Sequence, residues 1–333
     1  FIPNFPCGDL PCHTTLPTVQ LSPPLLLILG PTASGKSTLG LDVAEALGAE
    51  IVSADAFAVY RGLDIGTDKP SPEARRRVRH HLIDVADPRH RFSAGEFADA
   101  AEVAIDDILS RNKPVMVVGG THFYVRALLM GLFPSPPRNP AVNARLTEQW
   151  ERDPKAVFRR LEEADPEAAA RIGPRDRQRL LRAVEVFEMT GEGISTHWKR
   201  HQQQQHKFNP LIVAPKRSRD DLYVKIGLRV DWMFAGGFVD EVKRILASGV
   251  PGDVCAMKAI GYREVVEMLH GRYDLETAIE RTKRSSRKLA KRQLTWLRTL
   301  REGTLHWVPP AEEDGRAAII DLWDHHTEGK RET

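Results

Sequence analysis

Leu25-Leu-Leu-Ile-Leu-Gly-Pro-Thr-Ala-Ser-Gly-Lys-Ser37 is the stretch on which the reading of this chain turns. Its first five residues are apolar and end at a glycine, the pattern of a short strand buried on both faces. The next eight, Gly30, Pro31, Thr32, Ala33, Ser34, Gly35, Lys36 and Ser37, fit G-x-x-x-x-G-K-[ST] at every defined position. The glycines let backbone N–H groups curl around an anion, and the helix expected from Ser37 to Leu47 points its positive end at the same place. Lys36 adds a point charge and Ser37 a hydroxyl suited to Mg²⁺. A polyphosphate or diphosphate is the implied ligand.

Working outward, Glu50-Ile-Val-Ser-Ala-Asp55, His81-Leu-Ile-Asp-Val85 and Val115-Met-Val-Val118 read as further strands, and Ser93 with Glu96 as a capping box opening a helix to about Leu109. Strands alternating with helices predict an α/β, P-loop NTPase-like, mostly parallel sheet flanked by helices. From Asn139 to Gly191 the pattern turns helical and is punctuated by Asp153-Pro154, Asp165-Pro166 and Gly173-Pro174. Leu211-Ile-Val-Ala214 returns to the sheet. Helices are expected over 231–248, 255–270 and 274–300, and Leu305-His-Trp-Val308 as a last strand. The expected organisation is a disordered, Pro-rich leader (1–24), a catalytic core (25–138 and 207–310), an all-helical insertion (139–206) and a C-terminal tail (311–333).

Composition narrows the class. The chain has 333 residues, 41% hydrophobic and 28% charged, which excludes disorder as its overall state. Three cysteines, two of them in the leader, exclude a disulfide scaffold and suit a reducing cytoplasm. No apolar run is long enough to span a membrane. The formal net charge of +3 hides a local excess: between Arg281 and Arg301 stand nine basic residues and no acid. Leu289, Leu294 and Leu297 form the expected packing stripe there, and the cations are suited to nucleic-acid phosphates. His80-His81 is a poor metal pair, because neighbours on a strand point to opposite faces. Cys12-His13 lacks the remaining ligands of a zinc site.

A usual P-loop NTPase carries a second acid at a strand end for its metal, and here Val115–Val118 ends in Gly-Gly-Thr. The other motifs occur in order: Ser53-Ala-Asp55, Val59-Tyr-Arg-Gly-Leu-Asp-Ile-Gly-Thr67, Lys69-Pro70, His80-His-Leu-Ile-Asp84, Gly119-Gly-Thr121, Asp176-Arg-Gln-Arg-Leu-Leu-Arg-Ala-Val-Glu-Val186, Ala259-Ile-Gly-Tyr262 and Leu289-Ala-Lys-Arg-Gln-Leu-Thr-Trp-Leu-Arg298. Over about residues 25–308 the chain resembles the tRNA dimethylallyltransferases, also called tRNA isopentenyltransferases. The resemblance implies transfer of a dimethylallyl group from dimethylallyl diphosphate to N6 of the adenosine 3′-adjacent to the anticodon in tRNA. The P-loop would then hold the leaving diphosphate with Mg²⁺, and no water needs activating.

The resemblance also assigns residues. Asp55 matches the general base, with Arg229 a candidate further cation on the diphosphate and Thr32 and Thr121 hydrogen-bonding walls. Thr121 is also a candidate helix N-cap. Contacts to tRNA are implied for Asp55, Ala56, Phe57, Ala58, Thr121, Asn143, Gln178, Arg179, Leu180, Leu181, Arg182, Lys288, Lys291 and Arg292. Tyr262 reads equally as core or as a tRNA contact. Ala56 and Ala58 depart from the family's Ser and Gln, and Asn143 from its Arg, with Arg145 two positions on. The expected protein is a cytoplasmic monomer. Rival readings are a P-loop kinase of a small metabolite, an isopentenyltransferase acting on free AMP, and a nonenzymatic RNA-binding protein with a relic phosphate loop.

Overall fold

The computed structural model describes residues 22–132, 136–202 and 207–328, the side chains of 201 and 202 excepted. The expected leader therefore lies outside the described residues, apart from its last three. The chain opens with β1 (Pro24–Leu29), α1 (Lys36–Leu47), β2 (Glu50–Ala54), α2 (Pro72–Arg77), β3 (His80–His81), α3 (Ala94–Ser110), β4 (Val115–Gly119) and α4 (His122–Met130). Five helices follow: α5 (Pro140–Arg152), α6 (Pro154–Ala164), α7 (Pro166–Arg171), α8 (Arg177–Thr190) and α9 (Ile194–Gln202). The chain returns through β5 (Asn209–Pro215), α10 (Arg219–Ala235), α11 (Phe238–Ala247), α12 (Tyr262–Leu269), α13 (Leu275–Arg298), β6 (Leu305–Val308) and α14 (Gly315–Glu328).

The six strands form one parallel sheet in the order β3-β2-β4-β1-β5-β6. The phosphate-loop strand β1 lies between β4 and β5, so the loop leaves the middle of the sheet at its carboxyl edge, where such folds bind ligands. Alternation along β1 feeds two cores. Leu25, Leu27 and Leu29 pack with α3, α4, α11 and α12, whereas Leu26 and Ile28 pack with α1 and α14. The helical stretch builds its own core around Leu146, Leu161, Leu180 and Val184. Its Asp-Pro punctuation consists of helix starts. Asp153 and Asp165 accept N–H bonds from their own first turns, and Pro154 and Pro166 occupy a position whose N–H would have no partner.

Four expectations need correction. The strand expected over His81–Val85 is only His80–His81. Leu82 and Asp84 adopt φ of 60° and 59°, which breaks the strand so that Asp84 can reach Lys69 and Arg75. The helix expected at 231–248 is two helices parted by Gly236 and Gly237, the latter at φ 90°, and the first begins at Arg219 under a Ser218 cap. The helix expected at 255–270 is a 3₁₀ turn, Ala256–Lys258, then α12, because Gly261 at φ 93° redirects the chain. The tail contains a helix, α14, that buries Ile319 and Trp323 against the sheet.

Candidate active site

The phosphate loop has the backbone an anion cradle requires. Ala33 and Gly35 have φ of 62° and 84°, and Leu39 N bonds Gly35 O at 3.0 Å as α1 begins. A Cβ on Gly30 would stand 2.6 Å from Ser34 Oγ, so a larger residue there would have to displace that hydroxyl. Ser34 Oγ is buried with no hydrogen-bond partner among the described residues. Lys36 Nζ donates to Pro31 O at 3.3 Å. Burial pushes its ammonium below the ordinary lysine range, with Asp55 pulling the other way and Arg229 adding to the depression.

Asp55 follows β2 and is locked by its own turn. Its Oδ1 accepts Phe57 N at 2.8 Å and Ala58 N at 3.1 Å, and its Oδ2 makes no hydrogen bond among the described residues. Thr121 follows β4, the strand beside β2. Its Oγ1 accepts Ala56 N at 3.0 Å and forms no side-chain cap on α4. Thr121 thus occupies the N-cap position of α4 without a side-chain cap bond, and its side chain instead ties the β4 end to the Asp55 turn. Gly119 makes this approach possible, since a Cβ there would fall 2.3 Å from Ala54 O. Arg229, on α10, donates to Thr32 Oγ1 at 2.5 Å and lies 3.5 Å from Asp68.

The decisive link was not anticipated as a site residue. Gln293 on α13 is nearly buried; its Oε1 accepts Thr32 N at 2.9 Å and its Nε2 donates to Gly120 O at 2.9 Å. One side chain thereby joins the phosphate loop to the β4 loop. Arg217 is a second such residue, with Nε donating to Ser34 O at 2.8 Å. Lys69, quoted above as a motif residue, and Lys258 line the cavity too, as does Arg263, which was not singled out. Lys69 is engaged there by Asp64, Asp84 and Tyr60 O.

These elements enclose a cavity of about 1010 Å³. Thr32, Lys36, Ser37, Asp55, Phe57, Ala58 and Arg229 line it together with Lys288, Lys291 and Arg292 from α13. The expected basic helix exists, but its buried stripe is Ala278, Thr282, Ala290, Gln293 and Leu297. Leu289 and Leu294 are only half-buried, because α13 borders a cavity rather than a closed core. Lys283 is held by Asp231 and Glu280.

Asn143 and residues 178–182 lie in the helical unit and do not line this cavity. Gln178 and Arg179 are exposed at the start of α8. Leu180 and Leu181 pack inside the helical core, so their side chains are unavailable for RNA; the apolar face of α8 had to be buried somewhere. Arg182 pairs with the fully buried Glu185, which gives it a structural task. Tyr262 resolves as core, donating to buried Glu241 at 2.5 Å. His80 and His81 do not make a metal pair: His80 bonds Val78 O and His81 bonds Glu50. Arg179, Arg292 and Arg126 all act on His122, whose imidazole burial and these charges hold below its ordinary range.

The sequence pattern of the family described as IPP transferase (IPPT) matches residues 58–300. The chain belongs to the IPP transferase family. The family assignment agrees with individual relatives. A protein of Geobacter sulfurreducens named tRNA dimethylallyltransferase is 45% identical over 297 residues, 89% of this chain and 95% of that protein. One of the same name from Thermotoga maritima is 41% identical, over 87% and 93% of the two chains. The crystal structure of the tRNA isopentenylpyrophosphate transferase of Bacillus halodurans is similar at TM-score 0.69 and 34% identity, over 92% of this chain and 98% of that one. A eukaryotic dimethylallyltransferase acting on tRNA matches at TM-score 0.76 and 25% identity, over 93% and 78%. As an IPP transferase the chain is a prenyl-transferring enzyme of α/β fold.

Proposed function

We propose that this chain transfers a dimethylallyl group from dimethylallyl diphosphate to N6 of the adenosine 3′-adjacent to the anticodon in tRNA, releasing diphosphate. The observation that carries this reading is one cavity shared by the phosphate loop, Asp55 and the cations of α13. A diphosphate and an RNA base can meet there.

In the transfer, the N6 lone pair forms a bond to C1 of the allyl group while the C1–O bond breaks. The electron pair leaves on the diphosphate, and the N6 proton passes to Asp55. The carboxylate suits this because Oδ1 is fixed by two backbone donors while Oδ2 is available. Loop amides, Lys36 and Arg229 offset the charge that grows on the leaving oxygen. Thr121 holds the Asp55 turn and keeps its own O–H to donate. The target base must unstack to reach Asp55, which is cheapest in a single-stranded loop.

The residues present fit Mg²⁺. Ser37 is exposed at the start of α1, and the described residues contain no group of three or more His, Cys, Asp or Glu able to cage a metal. Mg²⁺ held by diphosphate oxygens, water and Ser37 suits that donor set, and when bound it neutralises diphosphate charge. Among the described residues no helix is long and apolar enough to cross a membrane. A tRNA substrate supports a cytoplasmic location.

The test is incubation with Mg²⁺, labelled dimethylallyl diphosphate, and either tRNA or AMP. Label on tRNA is expected; label on AMP alone, or on neither, refutes the proposal.

A further inference from the structure

The chain past β6 reaches back to the phosphate loop. Arg217, in the turn after β5, has a side chain only 8% exposed. Its three nitrogens are all used. Nε donates to Ser34 O at 2.8 Å, Nη1 to Asp221 at 2.9 Å, and Nη2 to the two Glu312 carboxylate oxygens at 2.7 and 2.6 Å. Glu312 belongs to the 3₁₀ turn Ala311–Glu313, immediately before α14. The guanidinium holds its carboxyl down at about 2, so the pair is charged throughout the neutral range. α14 anchors that turn through buried Ile319 and Trp323.

The bond to Ser34 O matters because of peptide geometry. The Ser34 carbonyl and the Gly35 N–H belong to one rigid trans unit and point in opposite directions. The unit joins Ser34 to Gly35, which stands at φ 84°, and Ala33 just before it is held at φ 62°, a left-handed conformation that alanine does not adopt by preference. A donor fixing the carbonyl from behind therefore sets where the Gly35 N–H points.

We propose that Arg217 is a positioning residue: by holding the Ser34 carbonyl outward it aims the Gly35 N–H at the diphosphate, and Glu312 locks the guanidinium in place. The segment past β6, beyond the 58–300 stretch that matches the family, thereby belongs to the transfer machinery. The inference rests on the reading of the loop as a diphosphate site. Lys at 217 cannot reproduce it, because an ammonium lacks the planar fork that serves all three acceptors.

The experiment titrates pyrophosphate with Mg²⁺ into the full-length wild type, R217Q, R217K, E312Q and R217Q/E312Q, and measures tRNA affinity alongside. R217Q is expected to weaken pyrophosphate binding about tenfold and E312Q about threefold, the scale of one hydrogen bond made or mispositioned. The double variant should be no weaker than R217Q alone, because Glu312 acts through Arg217. R217K should recover only part of the loss, and tRNA affinity should stay within about twofold. Should R217Q fail to fold, E312Q decides, since Glu312 is half-exposed. Unchanged pyrophosphate affinity in E312Q, or effects that simply multiply in the double variant, would overturn the proposal. A wild type that binds pyrophosphate but does not prenylate tRNA would defeat the functional reading and leave this titration as an independent test of Arg217.

Discussion

Replacing Gln293 by alanine isolates the bridge between the two loops. Two hydrogen bonds of 2.9 Å disappear, one to Thr32 N and one to Gly120 O. The second is buried and the first only partly, so Gly120 O loses its partner with little water to replace it, while Thr32 N is open to rehydration. An unsatisfied buried group costs about 1–3 kcal/mol and a replaceable bond about 1 kcal/mol, so the sum is about 2–4 kcal/mol. At 1.36 kcal/mol per tenfold, the lower end is about a 30-fold loss in kcat/KM if it falls wholly on transition-state binding. The assay is initial-rate label transfer to tRNA at subsaturating dimethylallyl diphosphate, for Gln293→Ala and for Gln293→Leu, which refills the volume but not the polarity. Both should fall together. If either keeps kcat/KM within threefold of wild type, the bridge does not organise the loops and the reasoning is wrong.

Other expectations follow from the same geometry. Asp55→Asn should lower kcat by about 10²–10⁴ while pyrophosphate affinity stays near wild type, because the amide cannot take the N6 proton; coincident loss of both in rate and titration data would remove it as the base. Lys36 loses its proton more readily than a free lysine, and an anion favours the charged form, so pyrophosphate affinity should weaken as pH rises, and at lower pH than an ordinary lysine would require. Lys36→Arg, charged throughout, should flatten that dependence in the same titrations. Gly66→Ala places a Cβ 2.3 Å from Tyr262 and 2.4 Å from Phe238, both fully buried, and overpacking of this kind costs about 1–3 kcal/mol. Calorimetry should show a lower Tm, and an unchanged Tm would mean the aromatic pair relaxes freely.

The central part of the fold was legible because local signals agreed there. The apolar run of β1, the loop glycines and the helix start of α1 say the same thing in one window. The Asp-Pro pairs were visible as breaks, though only the structure shows them as caps. α10 escaped because its apolar residues lie on two faces. Ile226, Val230 and Met233 face inward, while Val224, Leu228 and Trp232 are exposed, so no single stripe emerges. The early end of β3 escaped because two left-handed residues cut a convincing hydrophobic run, and no residue type announced them. Within the site, Lys36 and Ser37 were readable from the motif's chemistry, and Asp55 from the family resemblance. Gln293 was not, since its partners are 173 and 261 residues away and a lone glutamine on a basic helix gives no period or spacing to detect. The burial of the Leu180 and Leu181 side chains was not readable for the opposite reason: a motif carries packing residues along with polar ones.

α13 presents two faces that cannot move independently. Gln293 grips Thr32 and Gly120 from its buried side, and Lys291 and Arg292, the two residues just before it, are exposed where they line the same cavity. A helix is stiff over so short a distance, so any tilt that RNA imposes on the exposed cations reaches both catalytic loops through one amide. Ordering those loops by diphosphate must likewise present the cations in a fixed array. If tRNA and diphosphate bind as proposed, thermodynamic reciprocity makes any coupling through this helix equal in both directions, with neither a second subunit nor a moving lid required.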